Sequence, residues 1–173
     1  YKSEAVAYHQ GDMRKWFRSG GNSDIFLLGD RQLIIKEAST SFSVWSALDR
    51  MDYLHGICLK FLPSHIQVPD HYGILDSRHL RRQYMLAQKV NDGLTVSDLI
   101  NGNYPDSLSK DSVASATTEF NGLYRVVKNS IDQAPGRDRM PTNLLPDWNP
   151  GNIVVDFTTP TKEKPYTFWI IDQ

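Results

Sequence analysis

The sequence has a single cysteine, Cys58, and no long apolar run. One cysteine excludes an intramolecular disulfide and a cysteine-rich zinc site. No stretch approaches the roughly 18–20 apolar residues that a membrane-spanning helix requires. The N-terminal sequence YKSEAVAYHQGDMRKWF also lacks the apolar centre of a signal peptide. We therefore expect a cytoplasmic protein with no membrane partner.

The sequence has no excess of charge of either sign. Its 19 Lys and Arg and 20 Asp and Glu give a net charge of −1, so no overall field attracts nucleic acid, and no nucleic-acid partner is expected. No internal repeat or low-complexity tract is visible. A hydrophobic content of 40% and a charged content of 23% over 173 residues are typical of one globular domain, or of two small lobes with a real core.

Several common catalytic motifs are absent from the sequence. There is no Gly-x-x-x-x-Gly-Lys-Ser/Thr stretch, which disfavours a P-loop nucleotidase, and no His-Glu-x-x-His pattern, which disfavours a zinc protease. The sequence GNSD (residues 21–24) has no base partner that would make it a nucleophile elbow. A P-loop nucleotidase, a nucleophile-elbow enzyme and a zinc site are therefore disfavoured.

What the sequence does contain is a clear order of strands and helices. Two β-rich runs, 25–28 and 33–35, flank Gly29-Asp30 and predict a β-hairpin, which a Gly-Gly-Asn-Ser turn joins to an earlier strand near 15–18. Apolar residues at three- and four-residue steps predict helices. The remaining predicted elements are helices at 41–62, 95–100 and 109–131 and strands at 65–75, 83–90, 153–157 and 166–173.

This order predicts an α+β fold with two lobes. The β-rich residues 1–90 form a small antiparallel N-terminal lobe, and residues 91–173 form a short helical C-terminal lobe. The sequence AQKVNDG joins the two.

Four polar features stand at the ends of predicted strands. The Gly-rich turn comes first, and Lys36 follows it in the strand LIIKEA. The sequence LPDWNPGN then places Asp147 and Asn152 around a Pro-Gly turn, directly before the apolar strand at 153–157. Asp172 ends the final strand, FWIIDQ.

Together these features resemble the protein-kinase-like fold, and within it the aminoglycoside and choline phosphotransferase branch. That branch carries the motif His-x-Asp-x-x-x-x-Asn, often with Asn-Pro-Gly-Asn at its end, and residues 145–152 match it from the aspartate onward. The likeness spans nearly the whole chain, and the catalytic loop is its specific part. It implies a kinase that moves the γ-phosphate of ATP or GTP to a hydroxyl group of a small molecule, or of a protein.

The resemblance also implies a role for each polar feature. Asp147 would be the catalytic base, and the hard oxygens of Asn152 and Asp172 would bind Mg²⁺. Lys36 would hold the phosphates as a point charge, and the backbone N–H groups of a Gly-rich turn can approach phosphates closely. The nucleotide-binding residues implied in this way are Gly20, Gly21, Asn22, Ser23, Lys36, Gln88 and Val90.

The chain departs from the family pattern in its catalytic loop. Leu145 replaces the family histidine, Pro146 follows it, and Asn149 replaces the lysine of protein serine/threonine kinases. These differences favour a small-molecule or atypical kinase. Trp148, inside the loop, is a candidate for lining the acceptor pocket.

Two further departures support an alternative function. No glutamate occurs between residues 38 and 118 to pair with Lys36, and Asp49, Asp52 and Glu37 remain open candidates. The C-terminal helices that complete the family's acceptor site are also missing, so we expect a fragment, a minimal or divergent member, or a lobe completed by another chain. The alternative is a pseudokinase or nucleotide-binding interaction module without turnover.

Overall fold

The first part of the chain forms an antiparallel sheet with the strand order β1-β2-β3-β6-β5. The computed structural model describes residues 15–19, 23–28, 33–38, 44–77, 82–88, 90, 93–135, 145 and 148–171, with side chains at 49–71 and at the described positions from 90 onward. The strands of this sheet are β1 (Lys15–Ser19), β2 (Ser23–Leu28), β3 (Leu33–Ala38), β5 (His71–Ser77) and β6 (Arg82–Gln88).

Strand β3 lies inside this sheet, between β2 and β6. Residue 36 is opposite Ile25 on one side and Met85 on the other. The predicted hairpin is confirmed by the antiparallel pairing of Leu28 with Leu33. A lysine on an interior strand differs from the solvated edge position that is usual for lysine at the end of a strand.

Three helices follow the predicted periodicity: α1 (Val44–Phe61), α2 (Val96–Ile100) and α3 (Lys110–Gln133). Helix α3 begins after Ser109, whose side chain accepts a hydrogen bond from the N–H of Ser112. One apolar face of α3 is buried, with the three- and four-residue spacing of an amphipathic helix. The buried residues are Val113, Ala116, Leu123, Val127 and Ile131.

The strands of a second sheet are β4 (Ile66–Gln67), β7 (Leu94–Thr95), β8 (Ile153–Asp156) and β9 (Thr167–Ile170). Their order in the sheet is β4-β9-β8-β7, and β8 and β9 form the C-terminal hairpin. Strand β8 is antiparallel to both β7 and β9, and β4 is parallel to β9. All four residues of β8 are buried, as expected for a strand that pairs on both edges beneath packed helices.

One predicted strand, 65–75, is wrong as a single element. The structure divides it into β4, in the second sheet, and β5, in the first. Pro69 lies between them and has no N–H to donate to a ladder, so the chain leaves one sheet there before joining the other.

The chain forms two compact units. One contains β1, β2, β3, β5 and β6. The other contains Arg50–Pro69, which lie in the region predicted as the N-terminal lobe, together with the described residues from Val90 onward. The functional division at residues 90 and 91 remains a prediction. None of the described helices is both long and apolar enough to cross a membrane.

Candidate functional site

The Asn-Pro-Gly-Asn sequence forms a short 3-10 helix, Pro150–Asn152, that leads directly into β8. Asn149 is its N-cap, and its side-chain oxygen accepts a hydrogen bond of 2.8 Å from the N–H of Gly151. Pro150 occupies a first-turn position, where its missing N–H costs nothing. A Cβ on Gly151 would lie 3.0 Å from that same oxygen, so glycine keeps the cap in place. Asn149 departs from the family pattern in sequence, and in the structure it caps the 3-10 helix.

Asn152 stands at the start of the hairpin formed by β8 and β9. The N–H of Ile171 donates to the carbonyl of Asn152 over 3.0 Å, and Ile153 pairs with Ile170. The hairpin ladder therefore extends to the last described residue, Ile171. Asp172, the second predicted magnesium ligand, is the next residue in sequence and lies outside the described residues.

Two apolar side chains anchor the predicted catalytic loop. Leu145 and Trp148 are half-buried and pack against the hydrophobic core. The Trp148 ring is nearly parallel to that of Phe120, with centroids 6.4 Å apart and planes 8° apart. Its contact with Tyr124 is edge-on, at 5.5 Å and 66°. Asp147, the predicted base, lies outside the described residues, between these two anchors in sequence.

Among the predicted nucleotide-binding residues that the structure describes, Ser23, residue 36 and Gln88 belong to the first unit and Val90 to the second. Ser23 is the first residue of β2, and Gln88 is the last of β6. The chain passes into the second unit between Gln88 and the half-buried Val90, where the hinge is predicted. Gly20, Gly21 and Asn22 lie outside the described residues.

The acid partner of Lys36 stays open. The structure describes the backbone of residue 36 and not its side chain, and among the candidate acids Asp49 and Asp52 are exposed. Across the described residues, no group of three or more His, Cys, Asp or Glu side chains is arranged to hold a metal ion. The predicted Mg²⁺ site therefore depends on Asn152 and on Asp172.

Asp156, at the end of β8, is a buried carboxylate with a structural role. It accepts hydrogen bonds from the N–H and hydroxyl of Thr158, at 2.8 and 2.6 Å, and from the hydroxyl of Thr159, at 2.6 Å. Burial alone would raise the pKa of Asp156, but these hydrogen bonds outweigh burial and lower the pKa below its ordinary value. Its oxygens therefore close the turn after β8.

A second polar group, the Glu119 cluster, is formed by Glu119, His65, Lys164 and Tyr166 and was not predicted from the sequence. The Glu119 carboxylate accepts from His65 Nε2 at 2.7 Å, from the Tyr166 hydroxyl at 2.7 Å and from Lys164 Nζ at 2.9 Å. These hydrogen bonds connect α3 to the segment after α1 and to the C-terminal hairpin. No local motif marks the cluster, because His65 and Tyr166 lie 54 and 47 residues from Glu119.

Hydrogen bonding sets the charge state of the Glu119 cluster. Burial alone would raise the pKa of Glu119, but the hydrogen bonds from Tyr166, Lys164 and His65 outweigh burial and lower it. The hydrogen bond and the charge of Glu119 raise the pKa of Lys164. Glu119 and Lys164 are therefore both charged at neutral pH.

The lone thiol is unsuited to nucleophilic catalysis. Cys58 is buried in the core, and burial raises its pKa to about 12. It stays protonated at neutral pH, whereas a nucleophilic cysteine acts as the thiolate.

Comparisons with known proteins find similar solved structures but no match to a family model or a curated protein. No protein-family model matches the chain. No curated protein matches it either. The solved structures that it resembles include the Mycobacterium tuberculosis PknI kinase domain, at 13% identity and a TM-score of 0.49 over 91% of this chain and 57% of that one.

Two other similar structures extend this comparison. WaaP in complex with acyl carrier protein is 11% identical, with a TM-score of 0.51, over 96% of this chain and 64% of that one. A thermostable mutant of the aminoglycoside phosphotransferase APH(4)-Ia is 14% identical, with a TM-score of 0.39, over 75% and 38%. The chain thus spans less than two thirds of the length of each of these solved chains.

The chain has a protein-kinase-like fold, and the predicted fold class is confirmed. The likeness to WaaP, with its TM-score of 0.51, covers 96% of this chain. At this level of identity, the likeness concerns the fold. Membership of the aminoglycoside and choline phosphotransferase branch remains a prediction.

Proposed function

We propose that this protein is a phosphotransferase that moves the γ-phosphate of ATP or GTP to a hydroxyl group of a small-molecule acceptor. Asp147 acts as the base that orients the acceptor hydroxyl and takes its proton. Lys36 and the Gly-rich turn at residues 20–23 bind the phosphates. The main chain at Gln88 and Val90 binds the base of the nucleotide.

The observation that carries this proposal is the hydrogen bond from the N–H of Ile171 to the carbonyl of Asn152, at 3.0 Å. It joins the end of the predicted catalytic loop to the residue before Asp172. Asn152 is thus paired with the residue that precedes Asp172 in sequence. That pairing supports a metal site shared by Asn152 and Asp172 in a chain with a protein-kinase-like fold.

The two proposed ligands, Asn152 and Asp172, suit magnesium by their chemistry. Amide and carboxylate oxygens are hard ligands of the type Mg²⁺ prefers, and Mg²⁺ usually keeps several waters besides one or two protein ligands. When bound with a nucleotide, the ion neutralises charge on the phosphates. The protein itself contributes mostly positioning, and the capped 3-10 helix at Pro150–Asn152 sets the position of Asn152 at the start of β8.

The decisive experiment replaces the proposed base. We expect Asp147→Asn to abolish phosphoryl transfer and to leave nucleotide affinity within a few-fold, because Asp147 acts on the acceptor and not on the nucleotide. The measurement combines ATP and GTP consumption, over a panel of hydroxyl-bearing small molecules, with calorimetric binding of a non-hydrolysable ATP analogue and Mg²⁺. Asp106→Asn is the matched control, since Asp106 is exposed in the loop between α2 and α3.

Each contrary outcome has a distinct meaning. Equal activity in wild type and Asp147→Asn would remove Asp147 from its role. Nucleotide binding without turnover in the wild type, across the whole panel, would replace the proposed enzyme with a nucleotide-binding module. Absence of nucleotide binding would contradict both.

A further inference from the structure

We propose that Trp148 is a positioning residue for phosphoryl transfer, acting through its contacts with Phe120 and Tyr124 of α3. The inference rests on the proposed function, because it concerns the loop that carries Asp147 and Asn152. Trp148 need not touch substrate in this role. Its indole ring fixes the position of the chain just before the cap of the 3-10 helix at Pro150–Asn152.

The three aromatic rings form one contact group. Phe120 and Tyr124 are four residues apart on α3 and so lie on the same face of the helix. The Trp148 ring stacks on the first at 6.4 Å and meets the edge of the second at 5.5 Å. Both geometries are favourable for aromatic pairs.

The helix under this contact is itself firmly held. Leu123 and Val127, on the buried face of α3, are 1% and 0% exposed and belong to the hydrophobic core. A side chain packed against α3 is therefore attached to the core of the second unit. Leu145 packs against the same core on the other side of Asp147 in sequence, so apolar contacts hold the loop at both sides of the proposed base.

Trp148 immediately precedes the cap of the 3-10 helix. Asn149, the next residue, accepts the Gly151 N–H through its side chain and the Asn152 N–H, at 3.1 Å, through its carbonyl. A shift of Trp148 therefore moves the cap and, with it, Asn152. Because a displacement of about 1 Å can cost roughly 100-fold in rate, the ring contacts control catalysis more than they control nucleotide affinity.

The test compares Trp148→Leu and Trp148→Phe with Tyr104→Leu as the matched control. Tyr104 is another half-buried aromatic packed against the core, in the loop after α2. We expect Trp148→Leu to lower kcat by about 10- to 100-fold, with the KM for ATP within about threefold. Trp148→Phe, which keeps an aromatic ring, restores most of kcat. Tyr104→Leu loses comparable stability and keeps kcat.

A second measurement does not depend on activity. Hydrogen exchange at the Gly151 and Asn152 amides should be faster in Trp148→Leu than in wild type, and unchanged in Tyr104→Leu. Equal loss of kcat in the two leucine variants, or normal exchange and kcat in Trp148→Leu, would overturn the inference. If the wild-type protein has no turnover, the proposed function fails. The exchange data then decide by themselves whether Trp148 anchors the loop.

Discussion

At the scale of single residues, Glu119 connects α3 to the segment after α1 and to the C-terminal hairpin, although no sequence motif marks it. Its carboxylate accepts hydrogen bonds from His65, Lys164 and Tyr166, and the Tyr166 hydroxyl also meets the Ser115 hydroxyl at 3.1 Å. A carboxylate shared by several donors is costly to remove, because each buried donor then loses its partner. Glu119 therefore stabilises the attachment of the C-terminal hairpin to α3.

We predict that Glu119→Gln lowers the free energy of unfolding at pH 7 by about 1–3 kcal/mol, since an amide presents one acceptor and one donor to a set of donors. Glu163→Gln is the matched control. Glu163 approaches His65 Nδ1 at 3.5 Å but is 59% exposed, so its loss should change stability by less than about 0.5 kcal/mol. Urea unfolding measures both, and equal effects would contradict the prediction.

The same pair of variants tests the pH dependence. The folded-state pKa of Glu119 is lowered, so its contribution is present above the unfolded-state pKa, about 4.3 for glutamate, and is lost as pH falls through the folded-state pKa. The difference in stability between wild type and Glu119→Gln should therefore shrink as the pH is lowered below about 4.3. A stability difference between the two proteins that stays constant down to pH 2 would show that it does not arise from the ionisation of Glu119.

At the scale of elements, local patterns predict which helices exist better than which face they bury. The three- and four-residue spacing predicts α1 with either Met51 or Asp52 on its apolar face. Met51 is buried and Asp52 is exposed, and the buried face also contains Leu54 and Cys58. Periodicity tolerates a shift of one residue, and only contact with the rest of the core fixes the rotation of a helix.

Strand boundaries show a similar limit. The segment 65–75 has a continuous strand-like pattern, yet β4 and β5 belong to different sheets. Pro69 was a visible signal for the break. Strand β7, by contrast, has two residues and is defined by its pairing with β8, so a local pattern could not have predicted it.

Helix α2 gives a prediction at this scale, because its end depends on a glycine. Gly102 has a φ of 74°, and its N–H and that of Asn103 donate to the carbonyls of Leu99 and Asp98, as in a Schellman motif. Gly102→Ala should cost about 1 kcal/mol, because an L-residue is strained in this conformation. Gly122 provides the opposite case.

Gly122 lies within α3, and an added Cβ would meet nothing within 4 Å. Gly122→Ala should therefore raise the free energy of unfolding by up to about 1 kcal/mol, since alanine favours the helix. Thermal and urea unfolding of Gly102→Ala and Gly122→Ala measures whether each substitution lowers or raises the free energy of unfolding. Destabilisation by both would show that glycine at 122 serves packing, and stabilisation by both would contradict the assigned role of Gly102.

At the scale of the whole molecule, the order of the motifs in the sequence was sufficient to predict the fold class. The Lys36 strand, the predicted catalytic loop and the C-terminal hairpin occur in the order that the resemblance implies, and the structure confirms the fold class. The candidate site was predictable only in part. Asn152 and the hairpin follow from local sequence, whereas the contact of Trp148 with Phe120 and Tyr124 arises from tertiary packing, which no spacing along the chain encodes.

The last prediction at this scale follows from the proposed function, which assigns Lys36 and Asp172 to the same nucleotide. Lys36 belongs to the first unit, and Asp172 follows the last described residue of the second. If one nucleotide contacts both, through its phosphates and a bound Mg²⁺, the effects of Lys36→Met and Asp172→Asn on affinity should be non-additive. The expected interaction energy is about 0.5–3 kcal/mol.

Calorimetric titration of an ATP analogue with Mg²⁺, into wild type, both single variants and the double variant, measures this interaction. Lys60→Met is the matched control, because Lys60 is exposed at the end of α1, and it should leave the affinity unchanged. Effects of Lys36→Met and Asp172→Asn that add within about 0.3–0.5 kcal/mol would mean that the two residues act independently. The proposed phosphotransferase would then lack the shared nucleotide on which it depends.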